Sequence, residues 1–106
     1  DDIINTGGFR VGPCEVENVL MEHPAVVECS VIGVPDALRG QSIKAVIVLG
    51  AGYEPLQELE LEIKNFCNQK LAEYKWIRII EFVTEMPKTI SGKIQKTVLR
   101  SQNETV

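Results

Sequence analysis

The run from Ile43 to Leu49 constrains this chain more than any other stretch, because all seven residues but Lys44 are apolar. Strand side chains alternate between faces, so a strand that is apolar at nearly every position is a central one covered on both sides. Gly50-Ala51-Gly52 then releases the chain. Two further strands fit beside it. Val26 to Val34 is β-rich and partly alternating, with Val27, Cys29 and Val31 on one face, Glu28 and Ser30 on the other, and Pro35-Asp36 as its break. Ile79 to Val83 reads as the third strand of the sheet.

Helical spacing supplies the covering layers. Leu56, Leu59, Ile63, Phe66, Cys67 and Leu71 form one stripe over residues 56–71, with mostly charged residues between them. Gly12-Pro13 opens an earlier helix, with Glu15 and Glu17 in the first turn, Val16, Val19 and Leu20 facing inward, and His23-Pro24 as its end. A terminal helix is expected over residues 93–100, before the polar tail Ser101 to Val106. At the front, Ile3-Ile4-Asn5 and Phe9-Arg10-Val11 flank Thr6-Gly7-Gly8 as the arms of a hairpin. The expectation is an α+β fold: an N-terminal β-hairpin plus a small mixed three-stranded sheet with helices packed on it.

With 106 residues, 44% of them hydrophobic, there is material for one modest core. The net charge of -4 gives no basic field for nucleic acid, and no apolar run reaches the roughly 20 residues that span a bilayer. Cys14, Cys29 and Cys67 are odd in number, widely spaced and set among apolar neighbours, which favours reduced core thiols over a disulfide frame or a metal site. That pattern points to an intracellular compartment.

Candidate chemistry concentrates in Pro87-Lys-Thr-Ile-Ser-Gly-Lys-Ile-Gln-Lys96. Ser91-Gly92 supplies a turn, and Ser91 is placed to cap a helix beginning near Lys93, which would aim the ammonium. The plain alternative is a polar loop with solvated lysines. A Walker-type cradle is excluded, since Pro87 stands at the first glycine position and Ile94 follows Lys93. Gly7-Gly8 allows either a simple turn or close approach of a ligand to bare backbone, with the Arg10 guanidinium just beyond. Arg39-Gly40 is an anion contact or a solvated turn. Tyr74-Lys75-Trp76-Ile77-Arg78 offers aromatic surface for a flat heterocycle, or else packs on the domain.

Taken together, D-D-I-I-N at 1–5, G-G-F-R-V-G-P-C-E-V-E at 7–17, H-P-A-V at 23–26, V-I-G-V-P-D at 31–36 and P-K-T-I-S-G-K-I at 87–94 resemble the C-terminal domain of the adenylate-forming acyl-CoA synthetases. I-I-N, G-P-x-E-V-E-N and R-G give it the flavour of the medium-chain or aryl acid:CoA ligases. The resemblance implies that residues 1–106 are the lid domain of an enzyme whose large N-terminal domain is absent. That enzyme first joins a carboxylic acid to ATP as an acyl-adenylate, and then transfers the acyl group to coenzyme A. It implies Lys93 as the catalytic lysine and, with Arg10, as a contact to ATP or the adenylate. Gly7, Gly8, Phe9, Arg39, Trp76, Ile77 and Arg78 are implied along coenzyme A, and Asp1 as the hinge. Mg2+ is expected with ATP, bound through the missing domain, and the domain alone is expected to be inactive. The location implied is cytoplasmic, or the mitochondrial matrix in a eukaryote. The chain departs from the pattern at Lys96, where the family usually has Arg, and at Ile77, where it often has Pro. A different class of reading is a stand-alone module of the same fold that binds a nucleotide-bearing ligand or a protein without catalysis.

Overall fold

In a computed structural model, which describes residues 2–103, the elements run β1 (Ile4–Thr6), β2 (Phe9–Val11), α1 (Pro13–Leu20), β3 (Val26–Asp36), β4 (Gly40–Leu49), α2 (Gln57–Asn68), a 3₁₀ turn (Glu73–Lys75), β5 (Ile79–Val83) and α3 (Lys96–Gln102). The apolar run is β4, and it is central as expected. It pairs antiparallel with β3 along one edge and parallel with β5 along the other. Gly40, at the start of β4, also pairs with Thr6 of β1, so the N-terminal hairpin is continuous with the mixed sheet.

Two apolar layers explain why β4 has no polar face. On one side Val31, Ile43, Ala45 and Ile47 meet Val16 and Leu20 of α1, Ile63 and Cys67 of α2, and Ile4, Val11 and Ile77. On the other, Ile32, Val34 and Val46 meet Met86 and Leu99. The exception, Lys44, is nearly buried, and its ammonium bonds Asn103 and pairs with Glu81 at 2.8 Å. A charge that deep is tolerated because both partners are present.

Several boundaries differ from expectation, each for a local reason. β3 does not stop at Pro35-Asp36 but stays paired through Pro35 opposite Gln41 and Asp36 opposite Gly40. It is an edge strand, where a residue without an N–H costs no ladder bond. The link to β4 is therefore only residues 37–39. Asp36 Oδ1 accepts the Leu38 and Arg39 amides at 2.8 and 2.9 Å, and its other oxygen accepts the Ser42 hydroxyl. These bonds, Ser42 first, hold the Asp36 pKa down to about 2. Val27 leaves the face expected for it because the register slips between Val26 and Glu28, and the bulged Val27 is 57% exposed. α2 is shorter than its stripe, and Leu56 is exposed. His23 does end α1's segment as a structural residue: its Nδ1 accepts the Ala25 amide at 3.0 Å and its Nε2 lies 2.8 Å from Glu62.

Candidate functional site: a cleft and a lysine hairpin

The β1–β2 turn is built from Gly7 and Gly8, whose φ angles of 56° and 86° lie where side-chain-bearing residues are strained. A Cβ at either would meet nothing within 4 Å, so backbone angle, and not crowding, calls for glycine. The Gly7 N–H donates to the Arg39 carbonyl at 2.9 Å, drawing the β3–β4 turn against the hairpin. Phe9 then stacks on Tyr74 of the 3₁₀ turn, ring centroids 4.2 Å apart. Lys75 pairs with Glu15 of α1 at 2.7 Å, which ties the 3₁₀ turn to the helix.

Between these pieces lies a cleft of about 380 Å³, lined by Gly7, Phe9, Arg39, Tyr74 and Arg78, with Thr6 and Glu73. Two guanidiniums, an aromatic pair and exposed backbone suit a ligand that carries both phosphate and a flat ring. Gly7, Phe9, Arg39 and Arg78 are thus brought together from segments far apart in the chain.

Other residues of the expected set sit elsewhere. Ile77 is 1% exposed, and both its amide and its carbonyl are held by the Asn68 side chain at 2.9 and 3.1 Å. Its side chain is core and has no surface to offer a ligand. Trp76 packs against the same core and donates its indole N–H to the Leu71 carbonyl at 3.0 Å. What remains open of it lines a separate groove with Asn65, Asn68 and Gln69. The ring that joins Phe9 in the cleft is Tyr74, which sequence reasoning named only as part of an aromatic stretch. Arg10 is exposed and, alternating with Phe9 and Val11, projects from the opposite side of the hairpin. Asp1 lies outside the described residues.

Lys93 belongs to the other face of the sheet, the side that carries α3. Residues 87–95 form a small hairpin of their own, with Lys88 opposite Ile94. The Gly92 N–H bonds the Thr89 carbonyl at 2.9 Å, the Thr89 N–H bonds the Lys93 carbonyl at 2.8 Å, and Gln95 N–H bonds the Pro87 carbonyl at 2.8 Å. Ser91 caps no helix, because Gly92, at φ 92°, turns the chain and α3 begins only at Lys96. Thr89 takes the fixing role instead, its Oγ1 accepting the Lys93 N–H at 3.1 Å and lying 3.0 Å from Ser91 Oγ. Lys93 is exposed at the edge of an open groove shared with Asp2, Gln95, Thr97 and Arg100; Asp2 pairs with Arg100 at 3.1 Å, and among the described residues no carboxylate lies within ion-pair distance of Lys93.

The cysteines add no nucleophile to either region. All three are free; Cys14 is exposed, contrary to the core position expected, while burial pushes Cys29 up to about 12 and Cys67 up to about 11. Among the described residues no three His, Cys, Asp or Glu side chains could jointly hold a metal ion, and no helix is long and apolar enough to cross a membrane.

The profile of the AMP-binding enzyme C-terminal domain matches residues 15–93. The chain belongs to that family. Over 98% of its length this AMP-binding C-terminal domain is 56% identical to 4-hydroxybutyrate--CoA ligase 1 of Metallosphaera sedula, and over 96% it is 50% identical to the human mitochondrial acyl-coenzyme A synthetase ACSM4. It spans 18% of each of those relatives. It also superposes, with a TM-score of 0.91 and 49% identity over 98% of its residues, on 20% of an anthranilate CoA ligase solved with anthranoyl-AMP. The α+β fold read from the sequence is that of the C-terminal domain of adenylate-forming enzymes.

Proposed function

We propose that this AMP-binding C-terminal domain is the mobile lid of an ATP-dependent acid:CoA ligase and serves the two half-reactions with its two faces. The observation that carries the reading is Lys93: an exposed ammonium on an ordered hairpin, unpaired among the described residues. In the first half-reaction a substrate carboxylate attacks the α-phosphorus of ATP and pyrophosphate leaves. The Lys93 ammonium bridges carboxylate and phosphate oxygens as negative charge builds there, and Arg10, projecting from the same side of the hairpin sheet, contacts the nucleotide. Preorganised charge of this kind needs no reorganisation as the reaction proceeds.

In the second half-reaction the domain turns about Asp1 and presents the cleft. Coenzyme A then runs over Gly7, Gly8 and Phe9, with Arg39 and Arg78 on its phosphates and Trp76 close to its nucleotide end. Its thiol attacks the acyl-adenylate and AMP leaves. Mg2+ would accompany ATP, held outside residues 1–106 where the acid would also bind, and would neutralise phosphate charge there; the isolated domain is inactive. An intracellular site, cytoplasmic or mitochondrial, belongs to the same proposal, supported by three free thiols and by a relative described as mitochondrial.

The test separates the half-reactions in the full-length protein carrying Lys93→Ala. Acid-dependent ATP/pyrophosphate exchange should collapse while thioester formation from supplied acyl-adenylate persists. Equal loss in both assays would remove the assigned role from Lys93.

A further inference from the structure

The ion pair that crosses the open edge of the sheet has no part in either half-reaction as described, yet it lies at the base of the Lys93 hairpin. β3 is an edge strand, and the outward N–H and carbonyl of Val31 require partners from outside the sheet. Glu17 of α1, reaching from one face, accepts the Val31 N–H at 2.9 Å. Lys96, the first residue of α3 and reaching from the other face, donates to the Val31 carbonyl at 3.0 Å and to the same Glu17 carboxylate at 2.5 Å. Each side chain is only 20% exposed, so solvent screens this pair less than a surface pair. The other arm of the hairpin is tied to the same strand, Lys88 meeting Glu28 at 2.6 Å.

We infer that Glu17 and Lys96 are positioning residues for Lys93, clamping the start of α3 to β3 and α1 so that the hairpin presents its ammonium in one place. The inference rests on the proposed role of Lys93. Two residues, Ile94 and Gln95, separate the clamp from Lys93, and the local hydrogen bonds of residues 87–95 fix the shape of the hairpin but not its placement on the sheet. Lys96 supplies that placement together with Lys88 on Glu28 and Ile94 against the apolar layer. The usual arginine at this position would serve the same purpose, because a guanidinium also donates to a carboxylate and a carbonyl at once.

The test uses the full-length protein with Lys96→Met, Glu17→Gln and Lys96→Arg, beside Lys93→Ala. Displacing a catalytic group by about 1 Å costs up to roughly a hundredfold. Lys96→Met and Glu17→Gln are therefore expected to lower kcat of ATP/pyrophosphate exchange on the order of tenfold, with KM for ATP and thioester formation from supplied acyl-adenylate little changed. Lys96→Arg restores exchange. If both half-reactions fall together with the unfolding midpoint, or exchange is unaltered, or arginine fails to restore it, the clamp is not a positioning device. Should Lys96→Met not fold, Glu17→Gln, which keeps the shape and the bond to the Val31 N–H but removes the charge that holds Lys96, carries the comparison. If Lys93→Ala leaves exchange intact, the functional reading has failed; if it abolishes exchange while the clamp variants do not slow it, only this inference has.

Discussion

The cleft and the lysine hairpin are both turns with a glycine at positive φ, yet they are assembled in opposite ways. The hairpin is one contiguous segment, residues 87–95, closed by hydrogen bonds among its own Pro87, Thr89, Gly92, Lys93 and Gln95. The cleft takes walls from the β1–β2 hairpin, the β3–β4 turn and the 3₁₀ turn, and these meet only because β1 pairs with β4 and Arg39 is bound by Gly7. Their charges differ too. Arg39 has a carboxylate, Asp36, at 3.8 Å, whereas Lys93 has none among the described residues. An ammonium unpaired among the described residues suits a transient charge, and a cleft with one of its two guanidiniums compensated suits a standing ligand.

The strongest way to break this contrast is Lys93→Ala, expected to lower adenylation on the order of 10²–10³-fold, as loss of one preorganised donor does elsewhere, with a far smaller loss of thioester formation. Ile77→Ala sharpens the border of the cleft. Truncating a fully buried isoleucine should cost about 2–5 kcal/mol in denaturant unfolding, with KM for coenzyme A unchanged in the folded fraction. A raised KM at unaltered stability would return Ile77 to the ligand surface. Arg78→Ala should raise KM for coenzyme A about tenfold, the worth of one charge-assisted hydrogen bond, and leave KM for ATP alone. A change in the ATP value instead would merge the two faces.

The smallest effect belongs to the turn that carries Arg39. The folded pKa of Asp36, about 2, is below its ordinary 3.8, so its hydrogen bonds contribute stability above that range and the contribution drains away as pH falls from about 3.8 to about 2. In unfolding midpoints measured across that window, Asp36→Asn should flatten the slope. An unchanged slope would place the acid sensitivity elsewhere.

How much was legible follows the same division between contiguous and assembled parts. The Ser91-Gly92 turn, the glycine pair and the helical stripe of Val16 and Leu20 each act through neighbours within a few positions and were readable, whereas the expected Ser91 cap was not found, since α3 begins only at Lys96. That Tyr74 and not Trp76 lines the cleft was not readable, since both rings lie in one short stretch and contacts made elsewhere, Trp76 to the Leu71 carbonyl and Tyr74 to the Phe9 ring, set which way each turns. The Val27 bulge was equally hidden, because alternation assumes an uninterrupted register.

By itself the sequence determined the central strand, the two covering layers and the lysine turn, because periodicity, φ preference and local hydrogen bonding depend on residues close in the chain. The tertiary structure alone decided that Arg39, Tyr74 and Arg78 share a cleft, that Lys96 is bound to Glu17 across the strand edge, and that Lys93 lies on the face opposite the cleft. Those relations depend on strand pairing and on which side of the sheet each segment covers, and no local pattern of residue types encodes either.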